Sequence, residues 1–369
     1  MKKNFIFYIH SVAGLVSGLF ILLMSISGAA LVFHEEIDTV QIPLVSAGEN
    51  KSDSYRMLAV DSCYSNIQKQ YPAAQVSHCM LPDNSSKPFS FFIYDPSYKK
   101  GTRTMQVFLH PQTGAVLKTR GGSDDAKDNF MSWLSAFHNS FHLGKTGEWL
   151  LGFFSIVFLL SIATGLILFR KKILAVLLFR KGVYNKNNLH QLIGMYALLF
   201  NLMIGITGFW MQRYVFKKEF YSSSTYTPVL TTSPGLFFKF DSAYTALKTQ
   251  QPDFTGAVIY FAQSTKGKTA IYGSRSSNSF IHSKKYADVI LLDSTGKVAS
   301  TRFVNEIDAD DRYDIINSQL HMGKFGGLGI KLVYFFFGLS GGLLSIAGFL
   351  LWYRRKSFAG KTKRQNTTV

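Results

Sequence analysis

The sequence has few charged residues, and the acidic ones are scarcer than the basic ones. Charged side chains make up 17% of the 369 residues, against 47% hydrophobic and 15% aromatic residues. Intrinsic disorder requires low hydrophobicity, so a disordered chain is excluded. The net charge is +18, but a soluble nucleic-acid-binding protein would carry its basic residues on a polar surface. The composition is instead typical of a membrane protein.

Two further absences, of cysteine motifs and of glycine-rich motifs, limit the cofactors that the chain could bind. The chain has only two cysteines, Cys63 and Cys79, and no Cys-x-x-Cys-His motif, so covalent attachment of a c-type haem is not expected. No Gly-x-Gly-x-x-Gly motif opens a helix, so nothing indicates a nicotinamide- or flavin-binding domain. The polar segments show neither a nucleophile beside a base nor a glycine-rich phosphate loop.

Four long apolar stretches are free or nearly free of charge, and each reaches the ~20 residues that a helix needs to cross a bilayer. The first is too long for the apolar region of a signal peptide, so we predict a retained transmembrane helix. In chain order, the predicted bounds are transmembrane helices at 1–34, 141–170, 190–213 and 321–353, external domains at 35–140 and 214–320, a cytoplasmic loop at 171–189 and a cytoplasmic tail at 354–369.

The basic residues are concentrated at one end of these helices. Fourteen of them, with no acidic residue, lie at the N-terminus, in the 170–189 region and in the tail. The external segments are nearly neutral, with 10 basic and 11 acidic residues in 35–140 and 12 and 10 in 214–320. Because basic residues mark the cytoplasmic side, both termini are predicted inside. The cysteines then lie outside, where either a disulfide or two free thiols is compatible with the sequence.

Several short motifs occur twice, about 180 residues apart. They predict a unit of helix, external domain and helix that is used twice in the same direction, with functional sites near the axis relating the copies. Apolar runs separated by Gly and Pro turns predict an α+β fold for each external domain. The matches are His10 with His190, Gly14 with Gly194, Ser27-Gly28 with Thr207-Gly208, His142-x-Gly144-Lys145 with His321-x-Gly323-Lys324, and Thr113-Gly114 with Thr295-Gly296.

Six of the nine histidines lie at or beside the ends of the predicted membrane helices. Ionisable residues in such places indicate function. Around a twofold axis His10 would approach His190, and His142 would approach His321, so that each pair could supply both axial ligands of a b-type haem. The alternative is that the histidines bind headgroups or loops, and that the small residues near them only allow close helix packing. The six are His10, His34, His138, His142, His190 and His321.

The ordered set of motifs resembles the PepSY-associated transmembrane family over almost the whole chain. This resemblance implies four transmembrane helices in two parallel repeats, each with a periplasmic α+β PepSY-like domain, in a bacterial inner membrane protein of iron uptake. The motifs are His10…Gly14…Ser27-Gly28-Ala29, His190…Gly194…Thr207-Gly208, Phe137-His138…His142-x-Gly144, Leu320-His321-x-Gly323, Tyr71-Pro72…Pro111-x-Thr113-Gly114 and Gln251-Pro252…Asp293-x-Thr295-Gly296.

The resemblance also implies two b-type haems with histidine ligands. By position, His10 and His190 would be the inner iron ligands, and His142 and His321 the outer ones. His34 and His138 are further candidates for cofactor binding, although Tyr214 and Asn317 stand at the matching positions of the second copy. Which outer histidines bind iron is therefore left open.

Three functions are compatible with these features. The first is a haem-dependent oxidoreductase that reduces a ferric siderophore or another iron chelate in the periplasm, with electrons from quinol or from a separate reductase. The second is a PepSY module that binds a peptide, a protease or a receptor without redox activity and is only anchored in the lipid bilayer. The third is transport, although the interiors of the spans contain no Asp, Glu, Lys or Arg that could relay an ion, apart from Lys331 at an edge. None of them needs a nucleic acid partner.

Overall fold

The computed structural model describes residues 3–43, 59–84, 87–99, 103–177, 189–222, 236–264 and 266–365. Most of the predicted cytoplasmic loop at 171–189 and the end of the predicted tail lie outside the described residues. The chain forms two compact units, called here the helical unit and the sheet unit. The helical unit comprises Met1–Phe33, Phe137–Ser223 and Leu320–Val369, and the sheet unit comprises His34–Ala136 and Ser224–Gln319.

The helical unit is built on long apolar helices. In the described part of the chain, three of them are long and apolar enough to cross a membrane: α1 (Lys3–Leu31), α5 (Gly144–Leu177) and α10 (Gly327–Gln365). A bent pair, α6 (Leu189–Tyr196) and α7 (Leu198–Gln212), raises the number to four if it forms one span. The protein is therefore a multi-pass membrane protein. Three of the four predicted spans are single long helices, and the bent pair corresponds to the remaining one.

The third predicted span is bent by 66° rather than continuous. The break is at Ala197, whose carbonyl accepts hydrogen bonds from both the main-chain nitrogen of Asn201 at 2.8 Å and its side-chain Nδ2 at 3.0 Å. Nδ2 also donates to Ser340 Oγ in α10 at 2.9 Å. A side chain that enters the hydrogen-bond ladder of a helix is a recognised cause of kinks.

Small residues bring α1 and α10 close together. A Cβ atom added at Gly18 would lie 3.0 Å from Ser345 Oγ, and the Ser345 hydroxyl donates to the Gly18 carbonyl at 2.6 Å. A Cβ added at Gly341 would lie 2.7 Å from Ser25 Oγ. Close packing of this kind is what stabilises helices in a bilayer. At these positions the small residues serve helix packing.

The sheet unit contains one antiparallel sheet of eight strands, in the order β4-β3-β2-β1-β5-β6-β7-β8. Strands β1 and β5 pair with Cys79 opposite Ile259, so the strands of both predicted external domains share one sheet. The strands are β1 (Gln75–Met80), β2 (Phe89–Tyr94), β3 (Thr104–Leu109), β4 (Val116–Gly121), β5 (Phe254–Tyr260), β6 (Thr269–Arg275), β7 (Asp288–Leu292) and β8 (Val298–Arg302).

Two helices, α3 (Val60–Gln70) and α8 (Phe240–Gln250), precede the two sets of four strands and share the apolar core with them. Their first turns bind each other. The Asp61 carboxylate accepts from the main-chain nitrogens of Phe240 and Asp241 at 2.9 and 3.1 Å, and the Asp241 carboxylate accepts from those of Val60 and Asp61 at 3.0 and 2.7 Å. Each carboxylate thus satisfies the free N–H groups of the other helix.

The described structure also contains a short 3-10 helix, Arg213–Phe216, and three further α-helices. Helix α2 (His34–Thr39) belongs to the sheet unit, and α4 (Phe130–Ser140) and α9 (Ala309–Met322) contribute their last residues to the helical unit. Both cysteines are free thiols buried in the core of the sheet unit. Burial raises the pKa of Cys63 to about 12 and the pKa of Cys79 well above its usual range.

Candidate functional site

The helical unit brings His10 and His190 together. They come from α1 and α6, and their ring centres lie 6.1 Å apart with the planes inclined at 73°. Nδ1 of His10 lies 3.0 Å from the Ser161 carbonyl oxygen, and Nδ1 of His190 lies 3.0 Å from that of Leu344. A carbonyl can only accept, so each Nδ1 carries the hydrogen and donates it. Nε2 is therefore the nitrogen that each neutral ring has available for a metal.

A glycine lies beside each of these two rings. A Cβ atom added at Gly165 would lie 3.2 Å from Cε1 of His10, and one added at Gly348 would lie 3.4 Å from Cε1 of His190. Each glycine stands about one helical turn after the carbonyl that accepts from the same histidine. Helices α5 and α10 therefore offer each ring a hydrogen-bond acceptor and the space to approach it.

A second pair consists of His138 in α4 and His321 in α9, with ring centres 6.5 Å apart and planes inclined at 49°. Nδ1 of His138 lies 2.8 Å from Ser27 Oγ, and Nδ1 of His321 lies 3.0 Å from Thr207 Oγ1. Both hydroxyls donate their single hydrogen to a carbonyl of their own helix at 2.8 Å. We therefore assign the Nδ1–H tautomer to both histidines, with the hydroxyl oxygens as acceptors.

Glycines also adjoin the rings of the second pair. Gly28 and Gly208 directly follow the two hydroxyl residues. A Cβ atom added at Gly28 would lie 3.0 Å from Cε1 of His138, and one added at Gly208 would lie 3.0 Å from Cε1 of His321. Burial lowers the pKa of His138 to about 3, with a further contribution from His321, and lowers the pKa of His321 to about 4. Both imidazoles are thus neutral at pH 7, the form that binds metals.

The structure places His142 differently from the sequence-based pairing. The ring beside His321 is that of His138, whereas His142 is exposed, has a φ of 57° and packs its ring 6.2 Å from that of Phe137. His34 is the first residue of α2 in the sheet unit. Four of the six candidate histidines therefore form two pairs, and His142 and His34 belong to neither.

The register of the helices explains this difference. Helices α5 and α10 begin at Gly144 and Gly327, and the separation of these glycines along the chain equals that of His138 and His321. The motif match instead aligns Gly144 with Gly323, because both lie in a His-x-Gly-Lys run. Gly165 and Gly348 adjoin histidine rings, and they are as far apart along the chain as His138 and His321. They are the sequence signal that indicates the observed register.

A cavity of about 270 Å³ adjoins the His10–His190 pair. This is close to the lower end of the ~300–1,000 Å³ that is usual for small-molecule sites. Most of its wall is apolar, and glycines of four helices open it. Among the residues that line it are Gly14, Gly165, Gly194, Gly341, Asn201 and Arg355.

The donor set and the spacing fit haem better than a single metal ion. Within the described ranges, no three or more His, Cys, Asp or Glu side chains are grouped as a metal site, whereas zinc is held by three or four protein ligands. Haem iron takes only its axial ligands from the protein. With metal–nitrogen distances of about 2 Å, two axial imidazoles have ring centres roughly 6 Å apart. The observed separations are 6.1 and 6.5 Å.

Comparison with protein families matches the chain to the PepSY-associated TM region over residues 7–355. The chain belongs to this family. The match covers all four paired histidines and confirms the family that the sequence motifs suggested. It supports a membrane-associated PepSY protein, in agreement with the apolar helices. None of the curated proteins compared with the chain matches it.

Proposed function

We propose that this PepSY-associated TM protein is a b-type haem protein of the bacterial inner membrane that moves electrons to a ferric siderophore or another ferric chelate in the periplasm. The observation that carries the proposal is the presence of two histidine pairs whose ring centres lie 6.1 and 6.5 Å apart. One haem is assigned to His10 and His190, and the other to His138 and His321. When bound, haem iron supplies reversible one-electron chemistry.

The protein's own contribution is to hold each imidazole in one tautomer and one orientation. The carbonyl oxygens of Ser161 and Leu344 retain the Nδ1 hydrogens of the first pair, and the hydroxyls of Ser27 and Thr207 retain those of the second. A partner at Nδ1 keeps Nε2 unprotonated, fixes the ring and raises the basicity of the ligand nitrogen. Coordination then requires little rearrangement.

The two pairs are separated by most of a membrane thickness. His10 and Ser27, which contacts His138, both belong to α1. At a rise of about 1.5 Å per residue, the distance between them along the helix axis is about 25 Å. The hydrocarbon core of a bilayer is about 30 Å thick. One pair therefore lies towards each membrane surface, as a path for electrons across the bilayer requires.

The basic residues orient this path. Arg354, Arg355 and Lys356 follow the apolar part of α10, at the end of the unit that holds the first pair. By the positive-inside rule, both termini and the His10–His190 pair face the cytoplasm, and the segments 35–140 and 214–320 face the periplasm. The contacts shared by the two halves support an origin as two parallel repeats, each with a PepSY-like portion of the sheet.

The proposed net reaction joins a two-electron donor to a one-electron acceptor. A quinol, or a separate reductase in its place, loses two electrons; the quinol also releases two protons and becomes the quinone. Each of two ferric chelates gains one electron and becomes ferrous. Hard oxygen ligands hold ferrous iron less tightly, so the metal is released from the chelator.

The decisive experiment measures haem in the purified full chain. After expression with added haem, we expect a b-type reduced-minus-oxidised spectrum and two haems per chain, falling to one in the variant His10→Ala. Proteoliposomes containing a quinol should then reduce an enclosed or external ferric chelate only when the protein is present. A wild-type protein without haem would contradict the proposal.

A second candidate is a binding module without redox activity, favoured by an aromatic strip on the sheet. His78 of β1 stacks between Phe92 at 4.1 Å and Tyr260 at 4.7 Å, and Tyr272 contacts Tyr260 at 5.5 Å. Tyr260 is 39% exposed, which leaves aromatic surface for a partner. Binding of a partner that is unchanged in the variants His10→Ala and His138→Ala would favour this candidate.

A further inference from the structure

Among the described residues that line the cavity beside the first histidine pair, a single one carries a positive charge and none carries a negative charge. Arg355 of α10 is the only lysine or arginine among the described residues that line the cavity, and no aspartate or glutamate lines it with them. The rest of the wall consists of apolar, glycine and neutral polar residues together with the two histidines. A ligand that fills this space therefore meets a large apolar surface and a single guanidinium.

The guanidinium of Arg355 contacts the same helix that carries His10. The Cζ atom of Arg355 lies over the ring of Phe7 at 4.7 Å from its centre, the geometry of a cation–π contact. Phe7 precedes His10 by about one helical turn in α1, or roughly 4.5 Å along the axis. The positive charge thus lies about one helical turn from His10, on the side where α1 begins.

Arg355 lies on the same side of His190 as of His10, towards the chain termini. Gly348, which packs against the His190 ring, precedes Arg355 by about two turns of α10. The wall in the opposite direction is formed by Ile21, Gly341 and Asn201, deeper in the apolar part of the helices. The cavity is therefore charged at the end near the chain termini and largely apolar at the other.

We infer that Arg355 binds the propionate carboxylates of the haem held by His10 and His190, and so sets the haem with its carboxylates towards the cytoplasm. This inference rests on the proposed function. A guanidinium is planar and always charged, and it binds carboxylates through two parallel hydrogen bonds. The apolar body of the macrocycle then lies in the apolar part of the cavity, so each part of the ligand meets a matching surface.

The neighbouring residue provides a matched control. Arg354 has the same charge as Arg355, is also exposed and would contribute equally to membrane orientation, but it is not among the residues that line the cavity. If the arginines act only as basic flanks of a membrane span, replacing either one has the same effect. If Arg355 binds the haem propionates, replacing Arg355 weakens haem binding and replacing Arg354 does not.

The test measures haem loss from the full-length protein in detergent. Haem transfer to an excess of apomyoglobin is followed by absorbance for the wild type, R355Q, R355K and R354Q. We expect loss from one of the two sites to be roughly tenfold faster or more in R355Q, since a charge-assisted hydrogen bond is removed. R355K should lie between R355Q and the wild type, and R354Q should match the wild type.

The second haem reports whether R355Q is folded, because His138 and His321 are far from Arg355 along the helices. Faster loss from one site with the other unchanged supports the inference. Equal rates in R355Q and R354Q, or equally faster loss from both sites, would overturn it while leaving the proposed function standing. A wild type that binds no haem would instead remove the proposed function, and the inference with it.

Discussion

His138 and His321 come from opposite halves of the chain, yet their ring centres lie 6.5 Å apart. Each ring directs Nδ1 to a hydroxyl, and each hydroxyl residue is followed by a glycine that gives the ring room. The same two features, a hydroxyl partner and a glycine after it, accompany both histidines although they come from different parts of the sequence. This correspondence assigns the second proposed haem site to His138 rather than to His142.

The first prediction separates these two histidines. In the variant His138→Ala we expect the haem content to fall from two to one per chain, because one axial ligand of the second site is lost. His142→Ala should retain two haems, since His142 is exposed and packs against Phe137. Haem is measured as the pyridine haemochrome relative to protein. Loss of haem in His142→Ala alone would reverse the assignment.

The second prediction concerns the hydroxyl that holds His138. Ser27→Ala removes the acceptor for Nδ1, which lies 2.8 Å away. Loss of such an outer partner typically costs ~10–100-fold in affinity for the bound metal group, so haem should leave the second site faster by about that factor. Ser27→Thr keeps a hydroxyl and should remain near the wild-type rate. The rate of haem transfer to apomyoglobin provides the measurement, and equal rates in both variants would contradict the proposed role.

The third prediction tests the space beside the ring. A methyl group added by Gly28→Ala would lie 3.0 Å from Cε1 of His138, closer than ordinary carbon contacts, so the ring must move. We expect weaker haem binding at the second site and an altered spectrum. Gly338→Ala is the control, because its Cβ would meet that of Ala29 at an ordinary 3.5 Å. Identical spectra for the two variants would show that the ring tolerates the methyl group.

The fourth prediction concerns the two thiols. Burial raises the pKa of Cys63 to about 12, so only about one thiol in ten thousand is ionised at pH 8, and the thiolate is the reactive form. The native protein should therefore resist alkylation, and the protein unfolded without reductant should take up two labels per chain, as counted by mass spectrometry. Labelling that requires a reductant would show a disulfide between Cys63 and Cys79.

The sequence was informative where a pattern depends on local spacing. The apolar stretches predicted membrane spans because length and lack of charge are properties of the chain itself. The approach of His10 to His190 followed from two matching motifs, one in each half of the chain. The first inference needed no knowledge of distant contacts, and the second needed only the match between the two motifs.

Other features depend on contacts that the sequence does not encode locally. The short match between the runs at His142 and His321 outweighed the spacing seen in the structure, because Gly165 and Gly348, which mark that spacing, lie about six turns or more further along the helices. The bend at Ala197 coincides with a hydrogen bond from the side chain of Asn201, a long-range detail that apolar periodicity does not reveal. The pairing of β1 with β5 joins segments that were predicted as separate domains, and edge pairing leaves no pattern in either strand alone.

The pairing of β1 with β5 has a consequence for biosynthesis. Between Met80 at the end of β1 and Phe254 at the start of β5, the chain passes through α5 and the bent pair α6 and α7. While the ribosome is still making these helices, β1 has no neighbour on its β5 side, and an open strand edge invites pairing with other chains. The half-made protein therefore needs protection at this edge until the later strands have emerged, which makes the central strand pair the step at which assembly is most exposed to aggregation.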